Sequence, residues 1–77
     1  MRTSDEIIEL AIQELRSRGE KFPIKTKSAT YEKEHMSKGK GAEGWRVFVQ
    51  FDIEVDPDHV FIEVYENPFE IVFQKMF

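Results

Sequence analysis

A chain of 77 residues with a net charge of −4 can hold one hydrophobic core but spares little apolar surface for an internal cavity, so a deep substrate pocket is not expected. The absence of cysteine excludes a disulfide framework, a thiolate zinc site and a thiol nucleophile, and suits a reducing compartment. No apolar run approaches the ~18 residues of a membrane span, and the N-terminus turns acidic before any apolar run begins. The sequence therefore predicts a single soluble domain over 1–77, without signal peptide or anchor, in the cytoplasm.

Thr3 followed three residues later by Glu6 forms a capping box, which places the start of a helix at about residue 4. The helix is expected over 4–18. Ile8, Ala11, Ile12 and Leu15, widened by Ile7, make one apolar stripe, and Gly19 supplies the left-handed residue that stops it. One stripe implies one packing partner.

A strand is expected over 23–35, rich in Lys and Thr. Ile24, Thr26 and Ser28 share one parity while Ala29, Tyr31 and His35 share the other, so a bulge near Ser28 is needed to reconcile the halves. Its lysines suit an edge position, where charge discourages pairing with a foreign chain. The following loop contains Gly39, Gly41 and Gly44, a literal G-x-G-x-x-G. That pattern cradles a pyrophosphate only where a strand hands over to a helix. Here a strand follows it, and the match is read as an accident of a hairpin loop.

From Trp45 to Val55 every odd position is apolar and most even ones are polar, which predicts a strand over 45–55 with one buried face. Asp56-Pro57-Asp58-His59 reads as a tight turn. Pairing Val55 with Val60 then sets Ile53 opposite Ile62 and Phe51 opposite Val64 across a third strand over 60–66. A turn around Glu66-Asn67-Pro68 leads to a last strand over 69–76, with Val64 expected opposite Phe69. The fold class predicted is α+β: one N-terminal helix packed on a four-stranded antiparallel meander sheet.

Charge is unevenly spread along this frame. Residues 16–46 carry nine basic residues against four acids, whereas residues 47–74 carry seven acids and no Lys or Arg. The folded domain should have an electrostatic dipole.

Candidate chemistry is sparse. Asp56, Asp58 and His59 are three potential metal ligands within four positions, but a metal site needs convergent geometry, and turn chemistry accounts for them. His35, among Glu32, Lys33 and Glu34, has no nucleophile or orienting partner and reads as a solvated surface residue. No catalytic residue, metal site or cofactor is assigned, and the chain is read as non-enzymatic.

The informative surface is the sheet's second face. The inward set of the last three strands, from Trp45 through Val55, Val60, Ile62 and Val64 to Phe69, Ile71 and Phe73, suffices to cover one helix, yet the opposite face carries Phe48, Phe61, Tyr65, Val72 and Met76 among Arg46, Gln50, Asp52, Glu63 and Gln74. Aromatic surface rimmed by acids has the composition of a protein-binding patch. The partner-binding set is read as Phe48, Asp52, Glu54, Phe61, Glu63, Tyr65 and Met76, and the partner as another protein or a second copy of the chain. Alternatives are a nucleic-acid-binding module using the basic 25–46 segment, with Lys38 and Lys40 in its loop and Tyr31 for stacking, or a homodimer with its sheets face to face. Overall acidity disfavours nucleic acid, and neither a membrane nor a small-molecule substrate is indicated.

Gly44-Trp45-Arg46-Val47, the turn at Asp56-Pro57-Asp58, Val60-Phe61-Ile62-Glu63-Val64 and Ile71-Val72 resemble the C-terminal half of small bacterial immunity-type proteins of the NTF2-like group. The order of helix then meander is similar to the cystatin-like architecture. The resemblance implies an immunity- or inhibitor-type protein, and the acidic turns and outer face suit a basic partner held by electrostatic complementarity. The Q-x-V-x-G hairpin of protease-inhibiting cystatins has no counterpart, since Gln50 lies within a strand.

Overall fold

The computed structural model describes residues 2–33, 36, 39, 41–66 and 68–73. They form helix α1 (Ser4–Ser17) and strands β1 (Ile24–Glu32), β2 (Gly44–Phe51), β3 (His59–Glu66) and β4 (Phe69–Phe73). The strands make one antiparallel sheet in the order β1-β2-β3-β4, an α+β meander with the helix on one face.

Helix α1 forms where its caps allow it. The Glu6 amide donates to Thr3 Oγ1 at 3.2 Å while the Thr3 amide donates to Glu6 Oε1 at 2.9 Å, closing the capping box. At the other end Gly19 takes φ +97°, which a residue with a Cβ adopts only under strain, and its amide reaches the Arg16 carbonyl at 3.0 Å. Ile7, Ile8, Ala11 and Leu15 are buried against Trp45, Val47, Val49 and Phe51 of β2 and Ile62 and Val64 of β3. Each such aliphatic side chain contributes about 1.5–3 kcal/mol on burial, so this inner face carries most of the folding energy.

The alternation expected of the second strand is real, but the strand ends earlier than its pattern. β2 stops at Phe51 rather than Val55 because the Phe51 amide donates to the Asp58 carbonyl at 2.7 Å and the Asp52 amide turns to the Pro23 carbonyl at 2.8 Å. Residues 52–58 therefore form a seven-residue loop containing a cis Asp56–Pro57 bond. Val49, not Val55, faces Val60, a shift of six residues from the expected register. Because six is even, every side chain keeps its face. The exception is the strand's lost end: Ile53 packs on the core from the loop, whereas Val55 is 62% exposed.

The second hairpin is displaced by two residues in the same way. Val64 faces Ile71 instead of Phe69, and Phe69 pairs with Glu66 at the hairpin end. Phe69 is 45% exposed, with the Arg2 guanidinium 4.9 Å above its ring. The irregularity in β1 lies between Ile24 and Thr26 rather than near Ser28, after which Lys27, Ala29 and Tyr31 face Val49, Val47 and Trp45. β1 is an edge strand, as its lysines suggest. The expected extensions of the first strand over Glu34 and His35 and of the last over Gln74–Met76 lie outside the described residues.

Candidate functional site: two ends of the outer sheet face

The even positions of β2 and the odd positions of β3 point away from α1. Gly44, Arg46, Phe48 and Gln50 lie beside Tyr65, Glu63, Phe61 and His59. This face divides into two ends of different character.

The end beside Gly44 is covered. Glu63 has no exposed surface, and Tyr65 and Met36 are each 5% exposed. The Tyr65 hydroxyl donates to Glu63 Oε1 at 2.9 Å, and Arg46 Nη2 stands 3.7 Å from Glu63 Oε2. A Cβ built on Gly44 would meet the Val64 carbonyl oxygen at 2.7 Å, Tyr65 Cδ1 at 3.2 Å and Met36 Cε at 3.4 Å. Met36 thus packs over this end from the segment between β1 and β2, and Gly44 is required for the close approach. Among the described residues, no buried side-chain polar atom lacks a hydrogen-bond partner.

The end beside the 52–58 loop is open. Phe48, His59 and Phe61 form a trio of rings with centroids 5.3–5.9 Å apart, His59 meeting Phe61 edge-on at 85°. A hydrogen-bond chain runs past them from β1 to the loop. The Thr26 hydroxyl donates to Gln50 Oε1 at 2.9 Å, Gln50 Nε2 donates to Asp58 Oδ2 at 3.0 Å, and His59 Nδ1 lies 3.2 Å from Asp58 Oδ1. The Gln50 amide donation, followed by the bond from His59, holds the Asp58 carboxyl below its usual range against a smaller opposing effect of burial. An ionised Asp58 only accepts hydrogen bonds. Gln50 therefore turns its NH₂ toward it, and His59 Nδ1 carries a proton.

The residues read from the sequence as a partner-binding set separate accordingly. Phe48 and Phe61 are half-buried and adjacent, with ring centroids 5.3 Å apart. Asp52 and Glu54 are exposed, but on the loop rather than the sheet. Glu63 and Tyr65 are interior to the covered end and present almost no surface. Met76 lies outside the described residues, as do His35, Lys38 and Lys40. Thr26, Asp58 and His59 join the open end although the sequence pattern did not place them on this face, and Gln50, which it did place there, was not among the partner-binding set.

The inner face has its own polar rim. Trp45 Nε1 donates to Glu66 Oε2 at 3.2 Å, and the Arg2 amide and guanidinium reach Glu66 Oε1 at 3.3 Å. For Glu66 burial acts upward, but the Trp45 and Arg2 bonds together outweigh it and lower the carboxyl's pKa. Tyr31, considered above for base stacking, instead packs edge-on against Trp45 at 5.2 Å and donates to Glu43 at 2.7 Å, a bond that raises its phenol pKa. Among the described residues no three His, Asp or Glu side chains converge to hold a metal ion, and no helix is long and apolar enough to cross a membrane. Comparison with protein-family models, curated proteins and solved structures returned no match.

Proposed function

We propose that the domain is a non-catalytic protein-binding module that docks a basic partner on the open end of its outer sheet face. The observation that carries this reading is the Phe48–His59–Phe61 trio beside a loop holding Asp52, Glu54, Asp56 and Asp58. Aromatic surface supplies desolvation energy at the centre of an interface, and a one-signed rim supplies orientation and encounter rate. An immunity- or inhibitor-type role, in which a basic effector is held inactive, fits that chemistry and the family resemblance of the Trp45–Val72 segment. The same acids disfavour a phosphate backbone beside the rings.

The test is a charge reversal confined to exposed positions. Asp52→Lys with Glu54→Lys leaves the buried Glu63 untouched and the core intact. With a co-purifying basic protein identified by native mass spectrometry, affinity for the double variant should fall at least tenfold at 50 mM salt and less at 500 mM. Unchanged affinity at both salt concentrations sinks the acidic-rim reading. A stable homodimer of the isolated wild type by light scattering would instead assign the face to a second copy.

A further inference from the structure

Resting on the basic-partner reading, we infer that the open end is built to receive an arginine side chain of the partner, stacked on the Phe48 and Phe61 rings and hydrogen-bonded to Asp58.

The direction of the hydrogen-bond chain carries this. Thr26 Oγ1 donates to Gln50 Oε1, Gln50 Nε2 to Asp58 Oδ2, and His59 Nδ1 to Asp58 Oδ1. Every bond in the chain thus points its proton toward Asp58. What remains unspent beside the rings is acceptor capacity: the remaining lone pairs of the Asp58 carboxylate. The Asp58 side chain is 32% exposed, so its carboxylate is reachable from outside. The complementary ligand is a cation rich in donors.

The rings then choose between the two cationic side chains. Phe48 and Phe61 lie tilted at 52° to each other, and His59 closes the trio. A planar guanidinium stacks on such a ring while donating in its own plane to a carboxylate, and it is more weakly hydrated than an ammonium. A lysine ammonium has no planar face to lay on the rings and loses more hydration on entering. The pre-ordered chain also matters, since Asp58 is already oriented by two donors and need not be immobilised on binding.

The charges around the patch favour the same ligand. The loop contributes Asp52, Glu54 and Asp56 nearby. Arg46, the basic residue on the outer face of β2, is drawn toward Glu63 at the covered end, 3.7 Å from its carboxylate. Lys25 and Lys27 lie on the β1 edge.

The experiment titrates ¹⁵N-labelled protein with three probes: a Gly-Arg repeat peptide, the matching Gly-Lys peptide and oligouridine. The Arg peptide should shift the amides of Phe48, Gln50, Asp58, His59 and Phe61 and bind at least fivefold more tightly than the Lys peptide. Phe48→Leu should erase that preference while the folded spectrum persists, and Asp58→Asn should weaken the Arg peptide at least fivefold. Equal affinities, with shifts spread over residues 52–58, overturn the arginine site while leaving a basic partner in place. Absence of binding by either peptide overturns both. Oligouridine shifting the ring trio more strongly than the Arg peptide overturns the inference in favour of base stacking.

Discussion

The two ends of the outer face each hold a carboxylate, Glu63 beside Tyr65 and Asp58 beside His59, and they treat it in opposite ways. Glu63 is fully buried, bonded by the Tyr65 hydroxyl and faced by Arg46, with Met36 packed over the same end. Asp58 is a third exposed and held by Gln50 and His59. A charge buried with its partners contributes specificity of packing and is destructive when unpaired. A charge held in place at the surface retains acceptor capacity for a ligand. The covered end is thus structural and the open end available, although both read alike as acids among aromatics.

Mutations should separate the ends by size of effect. Glu63→Lys sets a second cation beside Arg46 with no carboxylate between them. Breaking a buried pair costs roughly 3–5 kcal/mol, against a total stability of roughly 4–12 kcal/mol for a domain of this length. The variant should melt far below wild type by circular dichroism. A cooperative melt within a few degrees of wild type would mean that Glu63 reaches water.

Gly44→Ala comes next. Its Cβ would press the Val64 carbonyl at 2.7 Å, a backbone atom that moves only with its strand. Overpacking of this kind costs about 1–3 kcal/mol, read as a lower urea midpoint. Tyr65→Phe removes one donor from buried Glu63 and should cost about 1–2 kcal/mol. At the open end Asp52→Lys with Glu54→Lys should stay within about 0.5 kcal/mol of wild type, as exposed substitutions do. If the loop variant cost as much as Gly44→Ala, the division between ends would fail.

The sequence revealed faces better than it revealed registers. Parity assigned Val47, Val49, Ile62 and Val64 to the core because a strand's side chains alternate whatever its partner. Any even slip preserves that assignment. The same degeneracy hid the open end. Ile53 and Val55 continue the alternation of β2, so the pattern did not show that hydrogen bonding ends at Phe51, where amides turn to Asp58 and Pro23. With Val55 placed opposite Val60, Gln50 falls six residues from its true neighbour His59, and the chain through Asp58 cannot be seen. The burial of Glu63 was illegible for another reason: Met36 covers that end from just past the expected first strand, where strand alternation says nothing of what a side chain meets.

The smallest effect tests the open end most directly. Gln50→Leu removes the donor that contributes most to lowering the Asp58 pKa, while His59 remains. The Asp58 titration, followed by carboxyl carbon shifts, should move up toward the ordinary value of 3.8. A carboxyl depressed in the folded state stabilises it above the unfolded pKa, and that contribution is lost as pH falls through the folded one. In the variant this contribution should therefore be smaller and its loss complete at a higher pH, with stability at pH 7 changed by no more than about 0.5 kcal/mol because the group is surface-exposed. The His59 Nδ1 proton should persist, since Asp58 still accepts it at neutral pH. An unmoved Asp58 titration would mean that Gln50 does not hold the carboxylate in solution, and the open end would then be an ordinary wetted surface rather than a preformed set of acceptors.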